Sequence, residues 1–79
     1  MKQYKFYVST RKNKKYDAYL NDKFVVSFGD SRYQQYYDKL GAYSYLDHKN
    51  NKRRNNYYKR FGIDSIEGTA KYFSHMYLW

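Results

Sequence analysis

The sequence has no cysteine and no proline, only seven acidic residues, and no long apolar run. Without cysteine the chain can form neither disulfides nor thiolate metal sites, which argues against a small secreted domain held by disulfides. No stretch approaches the roughly 20 apolar residues that a membrane-spanning helix needs. The first residues also lack the apolar segment of a signal peptide. We therefore expect an intracellular protein, or one packaged inside a particle, without a membrane span.

The charge of the chain is strongly one-sided. Sixteen Lys and Arg residues oppose seven Asp and Glu residues, so the net charge is +9 on 79 residues. Such a charge attracts anions over a long range, and the candidate partners are nucleic acid, an anionic membrane face or an acidic protein. The length allows one domain, spanning residues 1–79.

Tyrosine takes the place that aliphatic residues usually hold. The chain has 13 Tyr, and aromatic residues make up 24% of it. This aromatic fraction is high for a disordered segment. A Tyr ring buries a large apolar area while its hydroxyl reaches water or a partner. We therefore expect a folded chain with a core built largely from aromatic rings.

The first half of the chain alternates between apolar and polar residues. Three sets of alternate positions are apolar: Tyr4, Phe6 and Val8; Tyr16, Ala18 and Leu20; and Phe24, Val26 and Phe28. A period of two is typical of half-buried strands. Polar residues 9–15 and the Asn21-Asp22 pair indicate turns between them. The pattern predicts a three-stranded antiparallel meander with one face packed.

The second half has helical patterns. We predict a short helix over 30–39, a second helix from Asp47 to about Arg60, and a last helix after Asp64. Asp47 is a good N-cap, and the spacing of Asp64 and Glu67 is that of a capping box. The last helix would carry an apolar stripe of Ile66, Ala70, Phe73 and Tyr77. Strands followed by two or three helices on one face make an α+β fold.

The second predicted helix is the most informative stretch for function. Residues 47–60 carry six Lys and Arg residues against one Asp. Helical spacing places one set on a single outer face: Lys49, Lys52, Arg53, Asn56 and Arg60. An opposite stripe would face inward: Arg54, Tyr57, Tyr58 and Phe61, with Arg54 stacked on a ring and paired with Asp30. A helical face on which every charge is positive is more typical of a phosphate-binding surface than of a surface that is only solvated.

A second basic cluster lies in the first predicted hairpin loop. Its members are Arg11, Lys12, Lys14 and Lys15. On its own, such a loop is typical of a mobile, solvent-exposed loop tip. Together with the basic helix, it indicates that loop and helix form one anion-binding surface. The predicted nucleic-acid-binding residues are Arg11, Lys12, Lys14, Lys15, Lys49, Lys52, Arg53, Lys59 and Arg60. Tyr7 and Tyr19, on the outer face of the sheet, are either base-stacking rings or a cross-strand pair.

Signs of catalysis are weak. His48 and His75 lie far apart in the sequence, and the chain has few carboxylates to gather around a metal. A nuclease would need His48 together with Asp47 or Asp30 and Arg53. No phosphate-binding glycine loop and no nucleophile elbow is present. We therefore predict no enzymatic activity, no cofactor and no metal site.

Four segments are similar to a known group of proteins. These are 28–36, the Asp47-His48 pair, 53–62 and the ending 77–79. In content and order they resemble a functionally uncharacterised family of small basic proteins encoded by large DNA viruses and some phages. The resemblance implies a viral origin. The family carries a His where this chain has Phe61, so the resemblance lends no catalytic role to that position.

The leading hypothesis is a virus-encoded protein that binds DNA or RNA through backbone phosphates, inside the host cell or packaged in the virion. Five aromatic residues would hold the helices on the sheet: Tyr57, Tyr58, Phe61, Phe73 and Trp79. Two alternatives remain open: a structural or accessory protein of the virion, and an inhibitor that binds a host protein.

Overall fold

In a computed structural model of the chain, which describes residues 3–79, three strands are followed by two α-helices. The elements are β1 (Tyr4–Val8), β2 (Lys14–Leu20), β3 (Lys23–Asp30), a short 3-10 turn (Ser44–Leu46), α1 (Asn51–Phe61) and α2 (Ala70–Tyr77). The strands form one antiparallel sheet in the order β1-β2-β3. The prediction of an α+β fold with a three-stranded meander is confirmed.

The register of the sheet changes at a bulge in the β2–β3 pair. Ala18 lies opposite Val26, whereas the next residue of β2, Tyr19, lies opposite Phe24. The extra residue in β3 shifts the alternation of its side chains. Phe24 is therefore exposed and contacts Tyr19, with ring centroids 5.8 Å apart. The expectation that Phe24 shares a face with Val26 and Phe28 is wrong.

The core lies between the sheet and α2. Its fully buried apolar residues are Tyr16, Ala18, Phe28, Phe73 and Leu78. Phe73 of α2 stacks on Phe28 at 5.4 Å and meets Phe6 edge-on at 5.6 Å. The expectation of a core built from aromatic rings is confirmed. Among residues 3–79, neither helix is long and apolar enough to cross a membrane.

The helices begin later than predicted. The N-cap of α1 is Asn50, whose side chain accepts a hydrogen bond from the Arg53 amide, and not Asp47. Lys49 has a φ of +52° and precedes the helix. The N-cap of α2 is Thr69, and Ile66 is 77% exposed in the loop before it, so Ile66 is not part of the apolar stripe.

The helix predicted over 30–39 does not form. Residues 31–43 are instead a series of turns around buried polar side chains. Asp38 accepts hydrogen bonds from the amides of Leu40 and Tyr43 and from the Tyr16 hydroxyl. Because side chains bind these amides, the backbone has a competing alternative to helical hydrogen bonds.

Lys15 belongs to the same buried network. Its side chain is 2% exposed, and its ammonium donates a hydrogen bond to the side-chain carbonyl of Gln35, which is fully buried. Burial lowers the pKa of Lys15, although the nearby carboxylate of Asp38 partly opposes this effect. The expectation that Lys15 is a nucleic-acid-binding residue is therefore wrong, since its charge is not presented at the surface.

Candidate nucleic-acid interface

A groove of about 920 Å³ lies between α1 on one side and parts of β3 and α2 on the other. Four cationic side chains line it: Lys14, Arg53, Arg60 and Lys71. They come from the start of β2, from two turns of α1 and from the first turn of α2. The fold thus gathers cations that are up to 57 residues apart in the sequence.

The orientation of α1 follows from its helical period. Arg53, Asn56 and Arg60 are spaced three and four residues apart, so they lie along one side of the helix and face the groove. Tyr57 and Phe61 line the groove from the next positions. Arg53 is held at the rim because its guanidinium donates a hydrogen bond of 2.8 Å to the Gln34 side chain.

The acidic residue in the lining, Asp30, already has a cation as its partner. Arg32 donates two side-chain hydrogen bonds to the Asp30 carboxylate, at 3.0 and 2.8 Å. These bonds lower the pKa of Asp30 to about 2, so the carboxylate is ionised and paired at neutral pH. Among residues 3–79 this is the one side-chain ion pair, so none of the four groove cations forms an ion pair with a carboxylate there.

An aromatic wall backs the groove on the α1 side. Trp79 stacks flat on Tyr57, with centroids 4.3 Å apart and planes at 4°, and Tyr57 contacts Phe61 at 4.8 Å. Burial raises the pKa of the Tyr57 hydroxyl well above its ordinary value, so this hydroxyl keeps its proton. The rings therefore form a continuous apolar surface beside the cations.

His75 of α2 connects this wall to the core helix. Its Nε2 lies 2.9 Å from the Gly62 carbonyl, and its Nδ1 lies 2.9 Å from the Tyr57 hydroxyl. A carbonyl can only accept, so Nε2 carries the proton and Nδ1 accepts from Tyr57. Both ring nitrogens of His75 are thus used to hold the C-terminal half of α1 in place.

Arg54 has a different environment from its neighbour Arg53. Its guanidinium lies 5.1 Å from the Tyr36 ring and 5.5 Å from the Tyr58 ring, as stacking on an aromatic face predicts. Its Nε donates to the Trp79 carbonyl at 2.7 Å. The expected pairing of Arg54 with Asp30 is wrong, because Asp30 is bound by Arg32. The expected inward position of Arg54 is also wrong, because its side chain is exposed.

The remaining predicted binding residues lie outside the groove. Lys52 and Lys59 are exposed on other sides of α1, and Lys12 is exposed in the β1–β2 loop. Lys49 lies 5.4 Å from the Tyr37 ring, and Arg11 lies 4.3 Å from the Phe24 ring. Of the nine predicted residues, the structure brings three together in the groove: Lys14, Arg53 and Arg60.

Lys71 and Tyr33 line the groove but were not among the predicted binding residues. Both lie in aromatic-rich segments, and packing brings them to α1. On the outer face of the sheet, Tyr7 and Tyr19 form an edge-to-face pair at 5.4 Å. This contact supports the cross-strand alternative for those two rings.

The residues considered for a nuclease have structural partners, although His48 Nε2 is buried without a hydrogen-bond partner. The Asp47 carboxylate accepts hydrogen bonds from the Gln35 amide group and the Asp38 backbone. His48 Nδ1 accepts a hydrogen bond from the Asn50 amide, and burial lowers the pKa of His48. Within residues 3–79 no three His, Asp or Glu side chains are grouped as a metal site requires.

Comparison with curated proteins and with solved structures gives no match. A family of unknown function, DUF5754, matches residues 4–61. This range runs from the first residue of β1 to the last residue of α1, and it contains three of the four groove cations. It covers most of the chain, and the protein therefore belongs to the DUF5754 family of unknown function.

Proposed function

We propose that this protein is a virus-encoded nucleic-acid-binding protein that contacts backbone phosphates with the cations of the groove. It would act inside the infected cell or within the virion. The observation that carries the proposal is the set of four cations around one groove, none of which forms an ion pair with a carboxylate among residues 3–79. The viral origin depends on the motif resemblance alone.

Phosphate binding suits these side chains. The guanidinium groups of Arg53 and Arg60 offer fork-shaped donor sets that match phosphate oxygens, and the Lys ammonium groups act as point charges. Each phosphate that a cation neutralises releases a condensed counterion, which drives binding and makes it sensitive to salt. Cations outside the groove, such as Lys52 and Lys59, add long-range attraction that salt screens over about 8 Å at physiological ionic strength.

The test compares two double variants of α1. Arg53→Gln with Arg60→Gln removes two charges from the groove, and Lys52→Gln with Lys59→Gln removes two charges from the same helix outside it. Binding of a labelled oligonucleotide is measured by fluorescence anisotropy at several salt concentrations. If two phosphate contacts are lost, the groove variant should reduce the slope of log K against log salt by about 1.4 to 1.8. The control variant should change it less.

Two outcomes would contradict the proposal. If the parent protein binds neither DNA nor RNA at low salt, nucleic acid is not the partner. If both double variants lose affinity and slope equally, the groove is not the binding site.

A protein partner is the second candidate, whether a virion subunit or a host protein. Ile63 and Ile66, in the loop between the helices, are each 77% exposed. Two exposed apolar side chains three residues apart in one loop suit a contact with another protein. Failure of nucleic-acid binding would favour this candidate.

A further inference from the structure

We infer that the groove binds single-stranded rather than double-stranded nucleic acid, with bases stacked on its aromatic rings. The inference depends on the proposed function and names the substrate class of the same site. Non-sequence-specific proteins that bind single strands combine a cationic groove with aromatic stacking platforms.

The groove presents rings to solvent as well as charges. Phe61 on the α1 wall is 45% exposed, and Tyr33 on the opposite side is 63% exposed. Behind Phe61, the stacked rings of Tyr57 and Trp79 fix the wall in position. Exposed rings are unfavourable in water, and a base has an apolar face that can cover them.

Cations and rings alternate along the same wall. Arg53 and Arg60 are seven residues apart, about 10 Å along the helix axis, with Tyr57 between them. The Arg60 guanidinium lies over the Phe61 ring, 5.3 Å from its centroid. A base that stacks on this face of Phe61 takes the place of the guanidinium, which is then close enough to bind the phosphate of the same nucleotide, and Lys71 offers a further cation in the groove.

A duplex does not fit this arrangement. An α-helix that reads double-stranded DNA enters a major groove about 12 Å wide, and the helix itself is about 10–12 Å across. The side of α1 that carries Arg53 and Arg60 instead lines a groove whose other wall belongs to β3 and α2. It is therefore not free on all sides, as a recognition helix in a major groove is. A duplex that contacts the outer cations of α1, Lys52 and Lys59, leaves the groove rings uncovered.

The experiment measures binding of a labelled 20-nucleotide single strand and of its duplex by anisotropy at one salt concentration. The single strand should bind at least fivefold more tightly. Phe61→Leu and Tyr33→Leu keep every charge, and each should weaken single-strand binding by about fivefold or more, because one stacked base contributes about 1–3 kcal/mol. The effect on duplex binding should be smaller.

A matched control is available outside the groove. Tyr45 is 74% exposed and does not line it, so Tyr45→Leu removes an exposed ring without touching the site. This variant should bind the single strand like the parent. Trp79, the one tryptophan of the chain, lines the groove, so its fluorescence should change when the single strand binds.

The outcomes separate this inference from the proposed function. Equal or tighter binding of the duplex would overturn the single-strand inference and leave nucleic-acid binding standing. Unchanged single-strand affinity in both Phe61→Leu and Tyr33→Leu would overturn the stacking role. Absence of binding to either form would overturn the proposed function itself.

Discussion

The two helices of this protein are attached to it in different ways. Phe73 of α2 is completely buried and lies in the centre of the aromatic core. The longer helix, α1, has no buried residue at all among its 11. A single layer of contacts holds α1 to the rest, formed mainly by Tyr57, His75 and Trp79. The fold thus uses α2 to close its core and α1 to present charge.

Because of this difference, we expect the residues that determine stability and those that determine binding to lie in different helices. Substitutions in α2 should act on unfolding, whereas those on the exposed sides of α1 should act on the partner. The contacts between the two helices should show intermediate behaviour. Three experiments test this order, from the largest expected effect to the smallest.

Phe73→Ala should have the largest effect on stability. Removing a buried Phe ring from a close-packed core lowers the free energy of unfolding by about 3–5 kcal/mol. For a domain of this size each kcal/mol lowers Tm by about 4–8 °C, so Tm should fall by at least about 12 °C. Thermal unfolding followed by circular dichroism measures this. Phe61→Ala on α1 is the control and should shift Tm far less; equal shifts would show that α1 is as deeply packed as α2.

His75→Ala should have an intermediate effect. It removes both hydrogen bonds of the imidazole and its ring contacts with Tyr57 and Tyr58. Since a hydrogen bond contributes about 0.5–1.5 kcal/mol, we expect the two lost bonds to lower the free energy of unfolding by about 1–3 kcal/mol. Tyr57→Phe removes one of the two bonds and keeps the ring, so its Tm should lie between those of His75→Ala and the parent. A parent-like Tm for His75→Ala would mean that the other contacts of α1 position it without His75.

The smallest expected changes in stability are those of Arg54→Ala and Arg53→Ala, which alter two adjacent arginines. Arg54→Ala removes the hydrogen bond to the Trp79 carbonyl and the stacking on Tyr36, and should lower Tm by a few degrees. Arg53→Ala should leave the free energy of unfolding within about 0.5 kcal/mol and weaken nucleic-acid binding. Thermal unfolding of each variant gives its stability, and fluorescence anisotropy gives its affinity for nucleic acid. Identical behaviour of the two variants would contradict the orientation of α1.

The parts of the fold and of the site that depend on short sequence patterns could be predicted from the sequence. Alternation of apolar residues predicted the three strands, because each strand buries one face against α2. Helical spacing correctly grouped Arg53, Asn56 and Arg60 on one side of α1, but not Lys49, which precedes the helix, or Lys52, which does not line the groove. Both patterns extend over a few residues, so the sequence shows them without knowledge of the fold.

The features that depend on distant partners were not predictable. Lys14 and Lys15 are adjacent residues of the same type. The Lys15 side chain is buried, where it binds Gln35, whereas the Lys14 side chain lines the groove. The bulge at Ala18 and Tyr19 moves Phe24 to the other face although its alternation looks regular. Lys71 reaches the groove only because α2 packs on the sheet beside α1.

The turns of residues 31–43 have a consequence for hydrogen exchange. Although they form no helix or strand, their amides are bonded to fixed acceptors: Asp38 to the Asp47 carboxylate, Ala42 to the Tyr16 hydroxyl, and Lys39 to the Tyr77 carbonyl. Two of these acceptors belong to β2 and α2. The amides can exchange with deuterated water only when the segment detaches from the core, so this irregular segment should be protected with the sheet rather than with the exposed loops.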